Sequence, residues 1–141
     1  MIHFRDITRH DHGFLYELLE ERGPEVNISH KRMPTWAQHV RFVSSSPYPF
    51  YKIIYDHGRK VGVCYLTISN EIGIFISRKW QRMGYGKDAV RKILELYPRS
   101  RLLANISPSN TKSQALFKNL GFTLIQYTYE FMPSQTSSPS S

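Results

Sequence analysis

Apolar residues recur along this chain at two spacings, and the change from one to the other marks the elements. Ile2 and Phe4 alternate with more polar neighbours, which predicts a short strand over residues 2–8. Over residues 10–22, Phe14, Leu15, Leu18 and Leu19 fall at helical spacing, with Glu17, Glu20 and Glu21 between them. Gly23-Pro24 ends that helix. Thr35 is placed to cap a second helix carrying Trp36, Val40 and Val43, and Ser44-Ser45-Ser46-Pro47 breaks it. Residues 50–55 are aromatic and β-branched, Asp56-His57-Gly58 reads as a turn, and residues 61–68 return as a second strand. Ser69-Asn70 turns into residues 71–76. There Ile72, Ile74 and Ile76 share one face, and Glu71, Gly73 and Phe75 share the other.

A basic connector follows: Arg78, Lys79, Trp80, Gln81, Arg82, Met83. Residues 84–97 read as a loop running into a helix that Pro98 ends. The pattern then predicts a strand over 101–106, a helix over 109–120 and one or two strands over 122–131. From Pro133 onward the chain is Ser, Pro, Thr and Gln, the composition of a disordered tail. No internal repeat is visible. Hairpins come first and a strand–helix–strand crossover later. The expected class is therefore α+β, one domain over residues 1–132 with a mixed, mostly antiparallel sheet flanked by helices.

Length and composition narrow this picture. At 141 residues the chain suits one core, and its 40% hydrophobic content suits a globular one. No apolar run reaches the roughly 18 residues of a membrane helix, so no membrane partner is expected. The first residues lack a signal peptide's apolar stretch, and the single cysteine, Cys64, excludes an internal disulfide framework. A reducing, cytoplasmic setting follows as the expectation. The formal net charge of +8 points to a polyanionic or phosphorylated partner without choosing one.

The segment Gln81-Arg82-Met83-Gly84-Tyr85-Gly86-Lys87 changes the picture most. Its glycines let the backbone turn tightly between a strand and a helix. The helix start offers unsatisfied N–H groups and the positive end of a dipole, a cradle for pyrophosphate. No G-x-x-x-x-G-K-[ST] occurs, so it is not a P-loop. Gly84, Gly86 and Ala89 satisfy G-x-G-x-x-A. The connector from Ile76 is nevertheless long for a dinucleotide-binding turn, and the 101–106 strand carries no acidic ribose partner.

With Gln81, Gly84 and Gly86 filling [Q/R]-x-x-G-x-[G/A], the chain resembles the GNAT superfamily of N-acetyltransferases. A second segment fits independently: Asn110, Ser113 and Gly121-Phe122 resemble the family's late strand–helix–strand module. The resemblance runs from the first strand to about Phe131. It implies a GNAT-like α+β fold and acetyl-coenzyme A as acetyl donor. It further implies a coenzyme site at Gln81, Arg82, Met83, Gly84, Tyr85, Gly86 and Lys87, with Asn110 and Ser113 in the late helix. Backbone groups near Ile74 and Ile76 would meet the pantetheine arm and the acetyl carbonyl. Gly84 and Gly86 as plain turn residues, Asn110 as a plain cap and Gly121 as a plain helix stop are the competing structural readings.

Acetyl transfer to an amine needs a neutral amine, donors for the thioester oxygen and a route out for the thiolate. Direct attack needs no enzyme nucleophile, so Cys64, in an apolar strand, is assigned to the core. Glu71 is the candidate general base, with a solvated strand-end charge as its alternative role. Many relatives carry a Tyr in the late helix where this chain has Phe117, so no general acid is assigned. His3, His10, His12, His30, His39 and His57 show no metal-ligand spacing and are assigned to the surface; no metal is expected.

In the resembled family the early helices and their connection select the acceptor. Here that segment, residues 23–47, holds His30, Lys31, Arg32, Trp36, His39 and Arg41, which suits an anionic amine such as an amino sugar nucleotide and equally suits plain surface and core. Small amines and protein amino groups stay open as acceptors, as do monomer and homodimer. A nucleic-acid-binding module is the competing class: the charge fits, and Trp36, Tyr48, Phe50 and Tyr51 are stacking candidates, yet no recognised motif is present. A catalytically silent coenzyme A-binding domain is the third.

Overall fold

The computed structural model describes residues 1–22 and 33–134. Five strands form one open sheet in sequence order: β1 (Ile2–Asp6), β2 (Phe50–Asp56), β3 (Arg59–Leu66), β4 (Glu71–Ile76) and β5 (Leu103–Ala104). All neighbours are antiparallel except β4 and β5, which run parallel. Four α-helices flank the sheet: α1 (His12–Glu21), α2 (Trp36–Ser44), α3 (Tyr85–Leu96) and α4 (Thr111–Asn119). The expected α+β class with a mixed, mostly antiparallel sheet is what the chain adopts.

Local chemistry sets the element ends. A capping box at Thr8 and Asp11 opens a 3-10 turn at Arg9–Asp11, so the first helix starts later than its apolar spacing predicts. A second box, Thr35 with Gln38, opens α2 as expected. Between β2 and β3, His57 and Gly58 both have positive φ, 52° and 74°. That is the primed turn whose twist matches a tight hairpin.

The sheet buries both faces. On one side Ile54, Val61, Cys64, Ile72, Ala89, Val90, Ile93 and Phe117 form the larger core under α3 and α4. On the other Leu15, Leu18, Val43, Ile53 and Val63 pack under α1 and α2. Ile53, Ile54, Val61 and Ile93 are fully buried, and truncating one of these isoleucines to Ala costs about 2–5 kcal/mol.

Two expectations fail near the C-terminus. The strand predicted over 101–106 shrinks to Leu103–Ala104, and the strands predicted over 122–131 do not form. The α4 terminus explains the second result. Gly121, at φ +96°, closes a Schellman cap: Phe122 N–H donates to Phe117 O and Gly121 N–H to Lys118 O, both at 3.0 Å. Phe122 docks on Phe117, ring centroids 5.0 Å apart, and the chain then leaves the body. Beyond Phe122 the described chain is exposed and joins no strand of the sheet. Of the tail expected from Pro133, residues 135–141 lie outside the described residues.

Candidate active site

The site begins where β4 and β5 part. Thr67 N–H donates to Glu71 O and Ser77 N–H to Val61 O, so residues 71, 73, 75 and 77 bond to β3. Alternation then turns the N–H and C=O of Ile72, Ile74 and Ile76 toward β5. β5 pairs only with Glu71 and Ile72. Beyond Ile72 the two strands diverge, and among the described residues no backbone group meets Ile74 on that side. Ile74 therefore offers a donor and an acceptor in a wedge, where sequence reasoning put backbone contacts. Ile76 differs: its carbonyl accepts the Gln81 Nε2 amide at 3.1 Å.

That Gln81 bond ties the glycine loop to the end of β4. Arg82 and Gly84 both take left-handed backbone, φ 68° and 83°, which curls the loop into α3. For Arg82 this conformation costs roughly 1–2 kcal/mol. Gly84 is the N-cap, so no side chain caps α3, and the first internal bond is Asp88 N–H to Gly84 O. The amides of Tyr85, Gly86 and Lys87 have no intrahelical acceptor and carry the positive end of the dipole. A Cβ on Gly86 would sit 3.1 Å from Leu116 of α4, so glycine also brings the two helices together. Arg82 and Met83 are exposed at the loop surface.

Tyr85 serves differently from its neighbours. Its ring is buried, and its hydroxyl donates to Asp56 Oδ2 at 2.5 Å. That bond, with help from His57 and the N-terminal amine, pulls the Asp56 carboxyl down to about 2. Tyr85 thus anchors the start of α3, and only its backbone is free for a ligand. Asn110 caps α4, its Oδ1 accepting from Ser113 N–H at 3.2 Å. Arg78 is drawn away as well, its N–H and Nη2 held by Glu21.

Glu71 stands at the vertex of the wedge. Its carboxylate accepts from Thr67 Oγ1 at 3.3 Å and from Asn105 Nδ2 at 3.0 Å. It is half-buried and held, which sets it apart from a loose charge at a strand end. Strand register puts Tyr65 opposite Gly73 and Tyr51 opposite Tyr65, so these side chains share the Glu71 face. Tyr65 covers Gly73 so closely that a Cβ there would overlap its ring. Tyr48 stacks on Tyr65 at 4.0 Å, and Tyr51 stands edge-on to both. Burial raises the Tyr48 and Tyr51 hydroxyls well above the usual phenol range, so they stay protonated donors. Arg22, at the end of α1, lies 3.6 Å over the Phe75 ring with its Nε buried and without a hydrogen-bond partner. Sequence reasoning missed this cluster. Tyr48 and Tyr51 were named only as candidates for stacking on bases, and only the register brings Tyr51 and Tyr65 to Gly73 and Glu71.

The remaining candidates sort cleanly. Cys64 is fully buried, and burial pushes its thiol up to about 12, so it is no nucleophile at neutral pH. Phe117 is core, 5% exposed. His39 corrects the assignment of every histidine to the surface. It is buried, its Nε2–H donates to His12 O at 3.0 Å, and burial lowers its pKa. Of the expected acceptor segment, residues 23–32 lie outside the described residues, including His30, Lys31 and Arg32. Trp36 is exposed and packs edge-on against Tyr16. An open cavity of 440 Å³ is lined by Thr8, His12, Ser46 and Lys52, and by Tyr48 and Tyr51 of the tyrosine cluster. No group of His, Cys, Asp and Glu among the described residues could hold a metal ion. None of the described helices is long and apolar enough to cross a membrane.

The splayed strands and glycine-capped helix agree with a family-level match. The model of the acetyltransferase (GNAT) family matches residues 13–122, well over half of the chain. The chain belongs to the GNAT acetyltransferase family. Its fold is shared with a domain from Methanocaldococcus jannaschii at 24% identity and TM-score 0.74, covering 92% of this chain and 93% of that one. A phosphinothricin acetyltransferase from Sinorhizobium meliloti, solved with acetyl-coenzyme A, is 24% identical with TM-score 0.70, over 89% of this GNAT chain and 76% of its own. A spermidine N-acetyltransferase from Vibrio cholerae is 14% identical with TM-score 0.68, over 86% and 83%. No curated protein matches the chain by sequence.

Proposed function

We propose that this GNAT domain transfers the acetyl group of acetyl-coenzyme A to a primary amine by direct attack, with Glu71 as general base. The observation that carries this reading is the wedge: Ile74 backbone groups unmet by β5, beside an α3 start whose amides no side chain caps. Gln81, Arg82, Met83, Gly84, Tyr85, Gly86 and Lys87 hold the pyrophosphate, through backbone amides and the charges of Arg82 and Lys87. Ile74 and Ile76 border the pantetheine arm, with Asn110 and Ser113 on the α4 side. The bound coenzyme supplies an activated thioester. Glu71, fixed by Asn105 and Thr67, takes the proton of the incoming amine directly or through a water. The Ile74 N–H is a donor for the thioester oxygen. Phe117 has no acidic proton, so the departing thiolate is not protonated from that position.

The acceptor is a small amine, an amino sugar nucleotide among them, or a protein amino group, in a cytoplasmic setting. Support for an anionic acceptor is Arg22, cationic and half-buried on the Glu71 face. A second reading has one observation in its favour. Phe117 in the core, where many relatives carry Tyr, fits a domain that binds coenzyme A without turnover. Calorimetric titration with acetyl-coenzyme A tests both, beside a folded Gly84→Asp/Gly86→Asp variant. Two carboxylates at the cradle should weaken binding ~100-fold or more. A folded wild type that ignores the coenzyme sinks the proposal. Binding without turnover across an amine panel selects the silent domain.

A further inference from the structure

Arg22 is a half-buried cation that no described carboxylate neutralises. It is the C-cap of α1, with its N–H held by Leu19 O at 3.2 Å and its guanidinium 3.6 Å over the Phe75 ring. Its Nε is the one buried side-chain nitrogen or oxygen among the described residues without a hydrogen-bond partner. None of the ion pairs among the described residues includes it. Burial lowers the Arg22 pKa, opposed by Tyr65, Tyr48 and Tyr51, which stand around it. A guanidinium nevertheless keeps its proton in a protein. A phenol oxygen accepts from it but brings no charge to cancel it, and the Phe75 face returns only part of what the group loses on leaving water. Glu71 lies on the same face of β4, four residues before Phe75. The levels of the two charges are about 13 Å apart along the strand, at roughly 3.3 Å per residue. Between them Gly73 has no side chain and the Tyr65 ring covers it, so an aromatic floor joins an anion at one end to a cation at the other.

Taking Glu71 as the base proposed above, we infer that the acceptor is a zwitterionic amine whose anionic oxygen group, a carboxylate or a phosphate, is received by Arg22. The guanidinium fork offers paired N–H donors to two oxygens of either group. Burial keeps the Tyr48 and Tyr51 hydroxyls protonated, so they stand beside it as further donors. The amine end then falls on the Glu71 side, where its proton leaves. Tyr48 and Tyr51 also line the cavity of 440 Å³, so room for the body of a small molecule adjoins the same donors. Charges read at two points reject two near neighbours of such a substrate. An amine with a second cation meets Arg22 with like charge, and an amine with a neutral tail leaves the guanidinium unneutralised. Arg22 touches no reacting atom in this arrangement, so its part is to select and hold the acceptor.

The test uses the full chain and two readouts. The first follows thiol release from acetyl-coenzyme A with acceptors of one length: 4-aminobutanoate, 4-aminobutanamide and 1,4-diaminobutane. Glucosamine 6-phosphate beside glucosamine supplies the phosphate arm. In the wild type the anionic member of one set should lead its neutral counterpart by about 30-fold or more in kcat/KM, mostly through KM, with the diamine last. The set with the larger ratio tells carboxylate from phosphate. Arg22→Gln should collapse that ratio, and Arg22→Lys, which keeps the charge without the fork, should retain part of it. The second readout needs no turnover. The Arg22 Nε–H signal, assigned by its absence from either variant, is followed in proton–nitrogen spectra as 4-aminobutanoate or glucosamine 6-phosphate is added. It should shift saturably with one of them and stay in place with 4-aminobutanamide and glucosamine. A wild type that uses neutral acceptors as well as anionic ones overturns the inference and leaves acetyl transfer standing. So does a folded Arg22→Gln that slows both members in proportion. A saturable shift without turnover of any acceptor keeps the anion site and sinks the acetyl-transfer reading, and neither shift nor turnover sinks both.

Discussion

The two faces of the sheet are built on different principles. On the α3/α4 side the candidate site is mostly main chain: Ile74 groups in the wedge beside β5, a loop with two left-handed residues, and the amides that open α3. On the α1/α2 face it is side chain: Glu71 held by Asn105 and Thr67, three packed tyrosines and a cation over Phe75. Main-chain sites bind what many proteins share, because any sequence that keeps the glycines keeps the cradle. Side-chain sites carry what is particular.

If the division is real, chemistry and coenzyme binding should separate by substitution. Glu71→Gln keeps the shape of the Asn105 and Thr67 contacts and removes the base. We expect acetyl transfer to fall by about 10²–10⁴-fold in kcat, with acetyl-coenzyme A affinity within about threefold of wild type. Paired steady-state kinetics and calorimetry read both. Equal losses in the two would place Glu71 in the cradle and break the comparison.

The next largest effect comes from Gly73, on the Glu71 face. Its backbone is in β4, and its missing side chain makes room for the Tyr65 ring. Gly73→Ala drives a methyl into that ring and must displace Tyr65 and the Tyr48 stacked on it. Overpacking of this kind costs about 1–3 kcal/mol, read as a lower denaturant midpoint. The acceptor KM should rise while coenzyme affinity holds. An unchanged acceptor KM would remove the tyrosines from the acceptor side.

The same division explains what could be read from the chain alone. The turn into α3 and the stop of α4 were legible because left-handed backbone favours glycine locally, as at Gly84 and Gly121. The caps at Thr35 and Asn110 were legible for the same local reason. The tyrosine cluster was not, since register decides which residues of β2, β3 and β4 meet. Residues 122–131 show the limit most clearly. Strands were predicted there and do not form; pairing depends on an edge, and no spacing within a segment reports on an edge elsewhere.

His39 gives the smallest effect and sharpens the comparison from the α1/α2 side. It was read as surface because a histidine among polar neighbours says nothing about burial. In the fold it joins α2 to α1 by donating Nε2–H to His12 O, packed against Tyr16 and Trp36. Burial, the larger cause, and the neighbouring His12 hold its pKa below 6.5, although the carbonyl bond opposes them. The folded state therefore favours neutral imidazole, and the unfolded chain takes up a proton at higher pH. Stability is complete above about 6.5 and declines as pH falls below it toward the folded value. Thermal melts between pH 8 and 5 should show a small fall in Tm that His39→Gln, which keeps an N–H donor, flattens. If the α1/α2 face presents the acceptor, the same pH range should raise the acceptor KM more in wild type than in His39→Gln. Coenzyme binding on the opposite face should follow pH identically in both. A Tm slope equal in wild type and variant would mean that His39 takes up its proton in the fold as readily as in the unfolded chain, and the α1–α2 contact would then not depend on its charge state.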